Sequence, residues 1–217
     1  MTSTEADGRD EHLTRREREK LQHRQEILDA AVKVFAEKGF YSATLDEVAQ
    51  EAEFSKGALY LYFTNKEDIL YSIIKTGITR WHEFINATMT GDRPFRDELV
   101  TLFSGLAGDV FANPDLFKLI SAQHHALFNA LTVEKRNELI DHTVAAWDYF
   151  VKRVEKAVAE GDIRNVPPMA IVGLVHGSIN GMIHDRWNCK TKEQLMEAIV
   201  TFVDIIFTGL EPKGGTL

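Results

Sequence analysis

Residues 27–66 read ILDAAVKVFAEKGFYSATLDEVAQEAEFSKGALYLYFTNK, and this stretch decides the fold. Ile27, Ala31, Val34 and Phe35 recur at helical spacing, with Glu26, Asp29, Lys33 and Glu37 on the opposite side. Gly39 follows as the residue that turns left-handed and stops a helix. Thr44 and Glu47 form a capping box that opens a second helix, its inner face made of Leu45, Val48, Ala49 and Ala52. Ser55 caps a third helix carrying Leu59 and Phe63 one turn apart, and Thr64 or Asn65 caps a fourth. Glu67 and Asp68 stand in the first turn of that fourth helix, where its dipole favours them. One amphipathic helix followed by two short ones and a tight turn is the order of a helix-turn-helix that reads duplex DNA.

The side chains of the third helix suit that task. Lys56 and Tyr60, four residues apart, share its outer face, and Ser55, Gly57 and Ala58 are small enough to let that face approach base edges. Tyr62 and Lys66 stand at its far end, where a hydroxyl and an ammonium can clamp a backbone phosphate. Thr44, at a helix N-terminus, offers its hydroxyl and backbone N–H to another phosphate. Upstream, Arg15, Arg16, Arg18, Lys20 and Arg24 are opposed only by Glu17 and Glu19. By itself that run is a solvated helix start; beside a helix-turn-helix it becomes an arm that reaches phosphates.

Taken together, these residues resemble the DNA-binding domain of the tetracycline-repressor (TetR) family of one-component transcriptional regulators. The matching positions are Ile27, Ala30, Ala31, Phe35, Gly39, Thr44, Val48, Ala49, Ser55, Gly57, Leu59, Tyr60, Phe63, Lys66 and Leu70. One departure stands in the turn, where the family usually has glycine and this chain has Glu53 followed by Phe54. A left-handed Glu there costs about 1 kcal/mol.

The resemblance implies a homodimer whose C-terminal helices hold a small-molecule effector. Two sequence features fit the dimer. Gly173, Gly177 and Gly181 form a stripe that permits close helix approach, and a last helix over 191–210 has two adjacent apolar stripes that include Phe202 and Ile206. A two-fold four-helix interface is the expected result. For the effector, the residues expected to line a cavity are Trp81, Phe84, Phe103, Phe128, Trp147, Phe150 and His176. Other helices are expected over 66–90, 94–112, 114–128, 132–160 and 168–188, so the chain reads as all-α. Residues 1–14 read as a mobile tail, 15–66 as the DNA-binding domain and 67–217 as the ligand-binding and dimerisation domain.

Composition limits the alternatives. A net charge of −8 argues against a protein that coats polyanions, so DNA contact must be local. The single Cys189 excludes an internal disulfide, and no apolar run reaches membrane-spanning length, so the cytoplasm is expected and no membrane partner. No phosphate loop, nucleophile elbow or zinc-hydrolase motif appears, and neither an enzyme nor a cofactor is expected. His124, His125, His176, His184 and Cys189 lack dense ligand spacing, so no metal site is expected either. The reading is a repressor released from a palindromic operator by a largely apolar effector. The alternatives are a metal-responsive sensor or a helical adaptor that binds protein.

Overall fold

The computed structural model describes residues 14–210, with the side chains of residues 121–128, 146 and 210 outside the description. The expected tail therefore lies outside the described residues except for Thr14, as do the side chains of His124, His125 and Phe128. Among the described residues there are nine α-helices and no strand, the all-α class predicted. They are α1 (Arg15–Lys38), α2 (Leu45–Glu51), α3 (Lys56–Tyr60), α4 (Lys66–Thr88), α5 (Phe95–Ala112), α6 (Pro114–Ala130), α7 (Val133–Glu160), α8 (Pro168–Asp185) and α9 (Lys192–Leu210). The chain divides into two compact units at Ile73, somewhat after the boundary at 66/67 expected from sequence.

The first unit is built on α1. Thr14 and Glu17 form a capping box at its start, and Gly39 (φ 81°) ends it. Ile27, Ala31, Val34 and Phe35 are all buried, as their spacing predicts, and Phe35 meets Phe40 edge-on at 5.3 Å. Val48 and Ala49 of α2, Leu59 of α3, Phe63, and Ile69, Leu70 and Ile73 of α4 complete this core. The first turns of α4 bury their apolar side chains here, which is why the unit extends past Lys66.

The second unit is centred on α5, which buries Phe95, Leu99, Leu102, Phe103, Leu106, Ala107 and Val110. It packs against α9 and α8, and α8 also packs on α6 and α7. A buried ion pair crosses this core. Arg153 Nε donates to Glu98 Oε2 at 2.6 Å, and the other Glu98 oxygen accepts the Gly91 N–H at 2.7 Å. Arg153 also donates to the Arg93 carbonyl at 3.2 Å and lies 5.1 Å from the Phe95 ring centroid. One carboxylate and one guanidinium thus hold the 89–94 connection onto α5 and α7.

Two expected boundaries need correction. α8 ends at Asp185, not Asn188, because Arg186, Trp187 and Asn188 all take positive φ (54°, 49° and 59°). The Trp187 indole turns inward, 5.9 Å from Phe103 and 5.0 Å from Phe202, and its N–H donates to the Ser178 carbonyl at 3.0 Å. Packing the partly buried ring against the core offsets the left-handed backbone. α4 stops at Thr88 instead of running to residue 90, and Gly91 (φ 81°) carries the turn into α5.

The glycine stripe on α8 divides as well. A Cβ on Gly173 or Gly177 would meet nothing within 4 Å, so intrachain packing does not require these two glycines. Gly181 is different, since a Cβ there would lie 3.1 Å from the Trp187 indole nitrogen. It makes room for Trp187 inside the protomer. On α9, Phe202 stacks edge-on with Phe103 at 5.3 Å, and both Phe202 and Ile206 pack against the chain's own core. Both keep part of their surface exposed, as do Val200 and Ile205 on the same helix.

Candidate nucleic-acid interface

Thr44 opens α2 with the predicted capping box. Its hydroxyl accepts the Glu47 N–H, while its own N–H and O–H both donate to Glu47 Oε2, at 2.9 and 3.0 Å. Both donors expected to serve a phosphate are thus already engaged within the cap. α2 ends in a Schellman turn, in which the Phe54 N–H bonds the Ala49 carbonyl (2.8 Å) and the Glu53 N–H bonds that of Gln50 (3.1 Å). Glu53 takes the left-handed place (φ 60°) that glycine usually fills. Phe54 offsets the strain by packing edge-on against His23 of α1 at 5.2 Å and against Tyr62 at 6.3 Å.

Ser55 caps α3, accepting the Ala58 N–H, and Asn65 caps α4, accepting that of Asp68 at 2.8 Å. Between them lies an open groove of about 390 Å³, lined by Ala43, Thr44, Leu45, Asp46, Lys56, Tyr60, Thr64, Asn65, Lys66 and Glu67. The N-termini of α2 and α4 both open into it, and helix N-termini favour anions. Lys56, Gly57 and Tyr60 are exposed, as are Ser55 and Thr44. Ala58 is half-buried. Arg15 and Arg16 are exposed on the first turn of α1, with Arg15 bonded to Glu19 at 2.8 Å.

Two predicted phosphate clamps are placed differently. The Lys66 ammonium donates to the carbonyls of Phe40 (2.7 Å), Tyr41 (3.0 Å) and Ala43 (2.8 Å), and lies 4.8 Å from the Phe40 ring centroid. An ammonium has three protons, and all three are committed to the 40–43 loop. The half-buried Tyr62 turns its hydroxyl to His23 Nδ1, 3.1 Å away. Both residues brace the head from within, because their partners lie on α1 and the α1–α2 loop, where sequence spacing gives no sign of them. Arg24 is also drawn inward, donating to Ser72 Oγ at 2.7 Å with its guanidinium over the Phe63 ring.

A model of the family "Bacterial regulatory proteins, tetR family" matches residues 27–73, the same stretch that forms this head. The chain is 29% identical over 160 residues to an uncharacterized HTH-type transcriptional regulator, YfiR, of Bacillus subtilis, covering 68% of this chain and 71% of that one. The structure of the TetR family transcriptional regulator PfmR from Thermus thermophilus matches with a TM-score of 0.71 at 25% identity, over 93% of this chain and 100% of that one. The chain carries a TetR-family DNA-binding head over residues 27–73. It is a DNA-binding transcriptional regulator. The fatty acid metabolism regulator protein of Bacillus subtilis is 40% identical over 88 residues, 39% of this chain and 45% of that one. A structure of FadR from Bacillus subtilis in complex with stearoyl-CoA matches with a TM-score of 0.70 at 21% identity, over 85% of this chain and 98% of that one.

On this TetR-family head, sequence reasoning missed Asp46, which pairs with Lys56 at 2.7 Å, and Leu61, which is 80% exposed just past α3. The Asp46–Lys56 pair joins two helices ten residues apart and gives no short-range signal. Leu61 follows Tyr60 directly on the exposed side, and a count of helical phase from Leu59 and Phe63 would have flagged it.

The cap of α2 sets an expected pH response. Its hydrogen bonds from Lys38 and Thr44 lower the Glu47 carboxyl from its usual 4.5 to about 2. A depressed folded-state value gives stability that is fully present above about 4.5 and lost as pH falls through about 2. The stability gap between wild type and Glu47→Gln should therefore be widest above pH 4.5 and close toward pH 2. Unfolding curves across that range check this, and a constant gap would remove Glu47 from the acid response.

In the second unit, the expected ligand-lining residues sort into three ring groups. Trp81 stacks on Phe84 (5.9 Å), Phe103 meets Trp187 and Phe202, and Trp147 meets Phe150 (5.8 Å) and His176 (5.3 Å). Phe103 and Phe150 are fully buried core residues, and His176 is exposed, bonded to Asn180. Among the described residues no group of three His, Cys, Asp or Glu is arranged to hold a metal ion, and no helix is long and apolar enough to cross a membrane.

Proposed function

We propose that the chain is a homodimeric repressor, released from a palindromic operator by a small, largely apolar effector, with acyl thioesters the class to test first. In this reading residues 15–66 hold the operator, and 67–217 hold the effector and the partner chain. The observation that carries the dimer is the outward face of α8, where Met169 and Leu174 are exposed beside the open Gly173 and Gly177. An apolar helix face with no side chain at its centre suits the close approach of a second α8. Gly177→Leu should break that approach at roughly 1–3 kcal/mol, the usual range for overpacking. The expected product is a folded monomer that no longer holds an operator, because two heads must keep one spacing to read a palindrome. An unchanged dimer in sedimentation would move the interface elsewhere.

The effector class rests on two supports. Apolar and aromatic side chains dominate the second unit, and the FadR fold neighbour was solved with stearoyl-CoA. α4 is the mechanical link in this reading, since it runs from Lys66 in the head to Trp81 and Phe84 in its last turns. A ligand that displaces its far end would carry the recognition helices out of register. Release requires that the ligand favour the non-binding state, and a coupling of about 1–3 kcal/mol is ordinary. The experiment is to measure operator affinity with and without acyl-coenzyme A esters of graded chain length. Weakening that grows with chain length supports the proposal, and a tightly bound ester that leaves operator affinity unchanged refutes the switch.

A further inference from the structure

We infer that Asp46 is a positioning residue for operator choice, holding Lys56 on the reading face of α3 and weakening attachment to duplexes that offer only phosphates. The inference rests on the reading that α3 enters the major groove. The Lys56 ammonium lies 2.7 Å from one Asp46 oxygen and 3.0 Å from the other, so both oxygens of a single carboxylate engage it. The two side chains are 58% and 63% exposed. Exposed pairs contribute little to folding, so stability gives no sufficient reason for this one.

Its consequence is for the lysine. A four-carbon stem leaves an untethered ammonium free to sweep many positions, and every duplex carries phosphates for it to find. Asp46 stands on α2 and Lys56 on α3, so the pair biases the ammonium toward one position on the helix crossing before DNA arrives. Both residues line the groove with Tyr60. The carboxylate also offsets the charge that a phosphate would attract. Asp46 takes up part of the ammonium's donor capacity and leaves the rest for a base-edge acceptor such as guanine O6 or N7. A duplex with that acceptor in place gains a bond without breaking the pair, and any other gains little.

The test compares wild type, Asp46→Asn, Lys56→Met and the double variant on two duplexes across a salt series. One duplex is the sequence wild type selects from a random pool, and the other is unrelated and of equal length. Circular dichroism melts confirm that each variant is folded. Asp46→Asn should raise affinity for the unrelated duplex about tenfold and steepen its salt slope by about one, as a freed lysine takes a phosphate. Affinity for the selected duplex should change far less, and the guanine preference at one position should relax. In the Lys56→Met background, Asp46→Asn should shift both duplexes alike. Equal gains on both duplexes with Lys56 present would overturn the inference, because Asp46 would then act only as a local negative charge. A preferential gain that survives Lys56→Met would overturn it too. A wild-type chain that binds DNA but selects no sequence would overturn the recognition reading and this inference with it.

Discussion

Glu98→Ala should destabilise the second unit by about 3–5 kcal/mol, the range for removing one partner of a buried pair. Glu98 is fully buried and Arg153 is 4% exposed, so the variant leaves a guanidinium inside the core with only the more distant Asp162 carboxylate, 3.9 Å away. The Gly91 N–H loses its acceptor at the same time. Replacing both partners, as Glu98→Leu with Arg153→Leu, should cost less than the single change, because no charge is then stranded. Denaturant unfolding of the three proteins checks this. A Glu98→Ala midpoint close to wild type would mean that water reaches the site, and the pair would have no structural weight.

Lys66→Met should lower the stability of the head by roughly 1.5–3 kcal/mol, the range for hydrogen bonds to a charged group. The variant removes all three bonds to the 40–43 loop, whose far end sets Thr44 at the start of α2. Lys66→Arg should not restore it, because a planar guanidinium cannot meet three converging carbonyls as a tetrahedral ammonium does. A lysine that served only DNA would leave melting unchanged when replaced, so thermal unfolding without DNA decides between brace and clamp. Unchanged unfolding would return Lys66 to the phosphate.

What can be read from the sequence is what short-range chemistry fixes. The Thr44–Glu47 box, the Ser55 cap and the Gly39 stop each lie within a few residues of the atoms they serve, and each stands where predicted. The left-handed Glu53 is legible for the same reason. Partners far apart in sequence are not. Lys66 reaches carbonyls more than twenty residues upstream, and Tyr62 reaches His23 across the head, so in sequence both have the look of surface groups. The end of α8 is hidden because Arg186 and Trp187 carry no local stop signal, and a long-range aromatic contact overrides their preference. Phe202 and Ile206 pack against the core, which sequence does not show, because an apolar stripe does not reveal which neighbour covers it.

The ion pairs between α1, α2 and α3 have one more consequence. Lys33 with Glu51, Lys38 with Glu47 and Lys56 with Asp46 match each cation to an anion, and residues 15–66 hold nine basic and nine acidic side chains. Such a head attracts arbitrary DNA weakly, and the rest of a chain with net charge −8 adds repulsion. On the repressor reading proposed above, such a head would slide little along arbitrary DNA and rely more on free diffusion between collisions. On that reading few copies would be held on irrelevant sites, and a small pool would suffice to keep an operator occupied.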